Sequence, residues 1–196
     1  VVVISPDDAA AARMQAELQN LLSGEVLLLP FRDFVFHPME GASREYEHKR
    51  IRTLSRWNEG LPLVVSGQAL TQFSIPPAVL AQASFSIERG KRYSLAALTE
   101  RLLSIGYTRC MQVEGYGQFS LRGGILDLYP PQASAPARIE FWDEDVDTIS
   151  LFDIGSQRRG AALDRVICLP VSEALPALGG DTLAMRIRQA ADALPQ

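Results

Sequence analysis

The side chains best placed for chemistry in this chain are guanidinium and carboxylate groups at alternating positions. In the stretch Ala137 to Trp142, Ile139 and Phe141 share one strand face, while Arg138, Glu140 and Trp142 share the other. The apolar face belongs to a core, so the second face shows an arginine, a carboxylate and a tryptophan to whatever lies outside. In Gln118 to Arg122, Phe119 and Leu121 point one way and Gln118, Ser120 and Arg122 the other. Two neighbouring strands can therefore present arginines on one face of a small sheet. Arginine and tryptophan are enriched at binding hot spots because they combine contact area with directed hydrogen bonds. The plainer alternative is a solvated sheet face with a cross-strand Arg–Glu pair, worth only ~0.2–1 kcal/mol.

Catalytic patterns are missing from these residues. A phosphate loop needs glycine-freed backbone N–H groups, a lysine and a following hydroxyl. The chain has two lysines, Lys49 and Lys91, and neither sits in such a frame. His37 lies in an aromatic stretch and His48 on a charged helix, with no partner at metal-ligand spacing. The carboxylates Asp143, Glu144, Asp145 and Asp147 have the spacing of an acidic hairpin turn rather than of a metal site. No nucleophile sits beside a plausible base, so the sequence predicts no catalytic residue, cofactor or metal.

The elements that position these groups fall into two kinds. Val1 to Ile4 reads as a strand buried on both faces. Ser5-Pro6-Asp7-Asp8 supplies a cap, a proline and acidic residues for a helix running to about Leu22. Strands follow at Val26 to Leu29 and Leu63 to Val65, separated by an aromatic stretch, Phe31 to Met39, and a charged helix from about Ser43 to Trp57. That helix mixes signs and reads as a solvated face. The β-α-β-α-β order predicts a parallel sheet with helices on it. Near Gly90 the pattern changes. Ser94 caps a helix with Leu95, Leu98, Leu102 and Leu103 inward. Short strands then follow at Tyr107 to Glu114, Gln118 to Arg122, Ile125 to Tyr129, Ala137 to Trp142, Val146 to Phe152 and Arg165 to Leu169, which predicts a small antiparallel β domain. A helix over Asp181 to Leu194 belongs elsewhere.

With 196 residues, 47% hydrophobic and 21% charged, the chain is globular and of one or two domains. Its net charge of −4 argues against a dedicated nucleic-acid module, because phosphate contacts favour a basic face. Cys110 and Cys168, without a secretory signal, read as reduced thiols in a cytoplasmic protein. No apolar run is long enough to span a membrane. The chain opens in mid-strand, which predicts a piece of a longer protein.

The order and spacing of several short motifs resemble a known family. These are Tyr107-Thr108-Arg109, Gly117 through Pro130 with its Arg122-Gly123-Gly124, and Arg138-Ile139-Glu140-Phe141-Trp142-Asp143-Glu144. Phe152-Asp153, Ser156-Gln157-Arg158, Leu169-Pro170 and Glu173 extend the match, and Leu29-Pro30 through Leu54 fits upstream. Together they resemble the UvrB-homology module of bacterial transcription-repair coupling factors. The resemblance implies an α/β fold in three parts. Residues 1–90 would form a RecA-like parallel-sheet domain without a nucleotide site. Residues 91–170 would form an inserted β-rich domain that binds UvrA, and residues 171–196 a return segment to the α/β domain. It implies UvrA contacts at Arg109, Phe119, Arg122, Arg138, Glu140 and Trp142. Where UvrB has an arginine two residues before the Arg-Gly pair, this chain has Ser120. It further implies a non-catalytic module that recruits UvrA to stalled RNA polymerase, with polymerase and DNA engaged by downstream domains of an ATP-dependent translocase. The alternative is a UvrB-like fragment that handles damaged DNA, against which the tyrosine-free stretch Phe31 to Met39 speaks.

Overall fold

A computed structural model describes residues 1–32, 45–175, 185–186 and 188–193. The fold is mixed α/β, with one parallel sheet, one sheet that is antiparallel save at one edge, and one antiparallel two-stranded ribbon. The parallel sheet has the order β1 (Val2–Ser5), β3 (Leu63–Ser66), β2 (Leu27–Leu29). Helix α1 (Asp8–Leu21) covers one face, where Ala11, Val26 and Val64 pack with Val3, Leu18 and Leu28. The cap of α1 is Asp7, whose carboxylate accepts the Ala10 N–H at 2.7 Å. On the other face Leu29, Val65 and Ala69 meet Phe31, Leu54 and Leu63.

Helix α2 (Glu45–Arg56) has a buried side as well as its charged, solvated face. It buries His48, Arg50, Ile51 and Thr53. Ile51 joins Ile75, Leu80 and Leu169 in a core that also holds α4 (Pro77–Ala83), which follows the short α3 (Gly67–Leu70). Arg50 is fully buried because Glu173, 123 residues away, comes back to pair with it. Ser74 Oγ (3.0 Å) and the Pro30 carbonyl (2.6 Å) accept its remaining N–H groups. The first two residues of the expected Ser43–Trp57 helix, most of the aromatic stretch including His37, and parts of the Asp181–Leu194 helix lie outside the described residues. Residues 185–186 and 188–192 are helical and exposed, and the chain returns to the α/β layer at Leu169 and Glu173.

Strand β4 (Phe85–Glu88) leads to α5 (Leu95–Ser104), capped by Ser94. Six strands follow, neighbouring in the order β10-β9-β8-β7-β6-β5. They are β5 (Thr108–Arg109), β6 (Gln118–Arg122), β7 (Ile125–Leu128), β8 (Ala137–Trp142), β9 (Asp145–Phe152) and β10 (Arg159–Ala162). All pairs are antiparallel except β5 with β6. One face of this sheet packs on α5, burying Leu98, Leu102, Phe119, Leu126, Leu128, Ile139 and Ile149. Leu103 faces out instead, because it sits one residue, about 100°, off the Leu98–Leu102 stripe.

Two strand expectations change. The strand expected over Tyr107 to Glu114 pairs only at Thr108–Arg109. Beyond it the Gln118 Oε1 accepts the N–H groups of Glu114 (2.8 Å) and Gly115 (3.2 Å), which turns the chain away from the ladder. The last strand, β11 (Arg165–Cys168), does not close the large sheet. It pairs antiparallel with β4 in a separate ribbon, with Phe85 opposite Cys168 and Glu88 opposite Arg165.

Candidate functional site

The outer face of the six-stranded sheet is built in rows. Cross-strand register sets Ser120, Asp127, Arg138 and Ser150 side by side on β6, β7, β8 and β9. The next row is Arg122, Ile125, Glu140 and Thr148. Directly opposed residues share a face, so both rows stand on the side away from α5. The turn between β6 and β7 is Gly123-Gly124. Gly123 has a φ of 58°, in the left-handed region that favours glycine. Gly124 lies so close to β8 that a Cβ there would meet the Phe141 carbonyl oxygen at 2.8 Å.

Asp127 organises the first row. Its carboxylate, with only 3% of the side chain exposed, accepts Arg138 Nε at 2.7 Å and Arg138 Nη2 at 2.8 Å. The same carboxylate accepts Arg122 Nη2 at 3.2 Å. Arg138 Nη2 also donates to Gln157 Oε1 at 3.0 Å, and its guanidinium carbon lies 4.6 Å from the centre of the Phe152 ring. Donating to the Asp127 carboxylate raises the Arg138 pKa above its ordinary value against the opposing pull of desolvation. Arg138 is only 14% exposed, whereas Arg122 is 54% exposed. In the second row Glu140 accepts the Thr148 hydroxyl at 3.1 Å and pairs with Arg159 of β10.

Four of the six predicted contact residues therefore stand on one face: Arg122, Arg138, Glu140 and Trp142. Trp142 is 82% exposed beside the hairpin tip, where Arg92 spans Asp143, Glu144 and Asp145 at 3.0, 3.2 and 3.3 Å. Arg109 is exposed, but its register beside Phe119 sets it on the opposite side of the sheet at the edge strand. The structure does not bring it into the Asp127 cluster. Phe119 is corrected outright: it is fully buried in the core against α5 and supports the face from behind. Alternation along β6 already points it inward. Sequence reasoning missed Asp127, Gln157 and Arg159 as members of this face. The signal for Asp127 was a carboxylate interrupting the apolar run Ile125-Leu126-Asp127-Leu128.

The start of α1 is occupied by the chain's own side chains. Asp7 caps the helix, while Asp8 accepts the Phe31 N–H at 2.7 Å and the Ser66 hydroxyl. The Asp7 carboxylate thus takes one of the helix's free N–H groups, and the two carboxylates complement the positive end of the helix.

Comparison with known families decides what the sheet is. The family model described as UvrB interaction domain matches residues 85–173, from β4 to the residue that pairs with Arg50. Residues 85–173 are a UvrB interaction domain. The whole polar face lies inside it. The chain is also similar over most of its length to full-length transcription-repair-coupling factors, so the resemblance drawn from the motifs holds. It is 32% identical over 166 residues, 83% of this chain, to the one from Bacillus subtilis strain 168. It is 31% identical over 179 residues, 88% of this chain, to that of Escherichia coli strain K12. It is 30% identical over 185 residues, 89% of this chain, to that of Myxococcus xanthus. The chain spans 14–15% of the length of these relatives, so the UvrB interaction domain and its α/β neighbour correspond to a small part of each. Among the described residues no helix is long and apolar enough to cross a membrane.

Proposed function

We propose that this chain is the UvrA-docking module of a cytoplasmic transcription-repair coupling factor. Its UvrB interaction domain would hold UvrA while other parts of the protein engage stalled RNA polymerase and move on DNA at the expense of ATP. The observation that carries this reading is the Asp127-centred arginine face inside the matched domain. Arg122, Arg138, Glu140 and Trp142 contact the partner, and Arg109 adds a peripheral contact from the sheet edge. Residues 1–90 form a RecA-like scaffold, residues 91–170 the docking domain and residues 171–196 the return segment.

Co-elution of the purified chain with UvrA tests the reading. Arg122→Glu, at a half-exposed position, reduces binding at least tenfold, and Trp142→Ala reduces it severalfold. Undiminished binding by both variants rejects the face. The scaffold itself does no nucleotide chemistry in this reading, because neither Lys49 nor Lys91 sits in a phosphate-loop frame. Millimolar ATP with magnesium therefore leaves the melting temperature unchanged. A ligand at 100 times its Kd would add ~2.7 kcal/mol, which thermal melting detects easily.

A further inference from the structure

The geometry points to Asp127 and Gln157 as positioning residues that hold the Arg138 guanidinium at one angle for the partner. The inference rests on the docking reading above and adds to it residues that act through Arg138. Asp127 is nearly inaccessible, so its carboxylate acts only through the arginines it binds. It takes two adjacent N–H groups of Arg138 in a fork, which fixes the plane of the guanidinium. Gln157 takes a second hydrogen from Nη2, and its own amide is tied to the Ile154 carbonyl at 2.7 Å. The Phe152 ring closes one side of the plane. Among the described residues Arg138 Nη1 and Arg122 Nε and Nη1 have no partner, so donors remain once Asp127 is satisfied. One carboxylate serves two guanidinium groups, and the cluster keeps a net positive charge. This surplus fits acidic side chains on the opposing surface. A free arginine would lose rotamer freedom on docking, and here most of that cost has been met in folding.

A binding cycle with UvrA tests this, using the full chain as wild type, Asp127→Asn, Arg138→Gln and the double variant. Each single change weakens binding at least tenfold. The double variant binds within threefold of Arg138→Gln, because the two-pronged grip that fixes a guanidinium plane is lost with Arg138 and only the single, longer contact to Arg122 remains. Losses that multiply across the double variant overturn the positioning role. Gln157 lies on a surface loop, so Gln157→Ala keeps the fold even if Asp127→Asn does not. It weakens binding two- to fivefold with an unchanged melting temperature, and unaltered binding overturns the proposal on its own. In the absence of UvrA, the Arg138 Nε–H signal in a nitrogen–proton spectrum is protected from exchange in wild type and exposed in Asp127→Asn. If Arg138→Gln and Arg122→Glu both bind as wild type, the docking reading itself falls, and the positioning role with it.

Discussion

Cys168 and Tyr107 lie in the core between α5 and the six-stranded sheet, and burial shapes the acid–base behaviour of both. Burial pushes the Cys168 thiol up to about 12. Burial, helped by the neighbouring thiol, also holds the Tyr107 hydroxyl well above its usual value, and that hydroxyl has no hydrogen-bond partner among the described residues. In the unfolded chain these groups lose their protons near about 8.5 and 10. Raised folded values mean that unfolding releases protons only in alkali, so stability is intact below about pH 8.5 and declines as pH rises toward 12. The melting temperature should hold steady from neutral pH to that point and then fall. Cys168→Ala should make the fall above about pH 8.5 shallower, and an unchanged slope would contradict the assignment. The outward set Arg138, Glu140 and Trp142 was readable in the sequence because a strand has a two-residue period. The burial of Arg50 was not. Its partner Glu173 lies far along the chain, and a local window sees only a helix rich in charge. Asp127 was hidden for a similar reason, since its two arginines belong to neighbouring strands.

At the scale of the strand and turn, the Gly123-Gly124 hairpin sets the spacing between β7 and β8. The Phe141 N–H donates to the Gly124 carbonyl at 2.8 Å, and the same close approach leaves no room for a side chain. Gly124→Ala should therefore push β8 away and cost ~1–3 kcal/mol, as overpacking does. Gly115→Ala is the control, because an added methyl there meets nothing within 4 Å. Chemical denaturation of the two variants should separate them clearly, and equal midpoints would refute the close-approach argument. The alternation of β6 to β9 and the Asp143-Glu144 hairpin were legible from sequence, since turn residues and period point the same way. The short β5 was not, because the apolar run continues past Arg109 while Gln118 captures the backbone of residues 114 and 115. Nor was the separation of β11 into its own ribbon. That depends on β4, whose four residues carry no turn signal to set them apart.

Across the whole molecule, the Arg50–Glu173 pair fastens the end of the UvrB interaction domain to the α/β layer. Glu173 accepts from Arg50 and from the Ile75 N–H at 3.1 Å, and Arg32 lies 3.8 Å away. Removing one member of a buried pair leaves an uncompensated charge, a loss of ~3–5 kcal/mol. Arg50→Met and Glu173→Gln should each lower the melting temperature by roughly 10 °C. The double variant Arg50→Met/Glu173→Met should recover much of that, and calorimetry on all three decides between a pair that specifies geometry and two independent contributions. The ribbon of β4 and β11 has a further consequence. Because Phe85 and Cys168 stand opposite each other, the first and last strands of the module run through a single doorway. Such a module should tolerate being spliced into a surface loop of an unrelated host with short tethers, carrying its arginine-lined face with it.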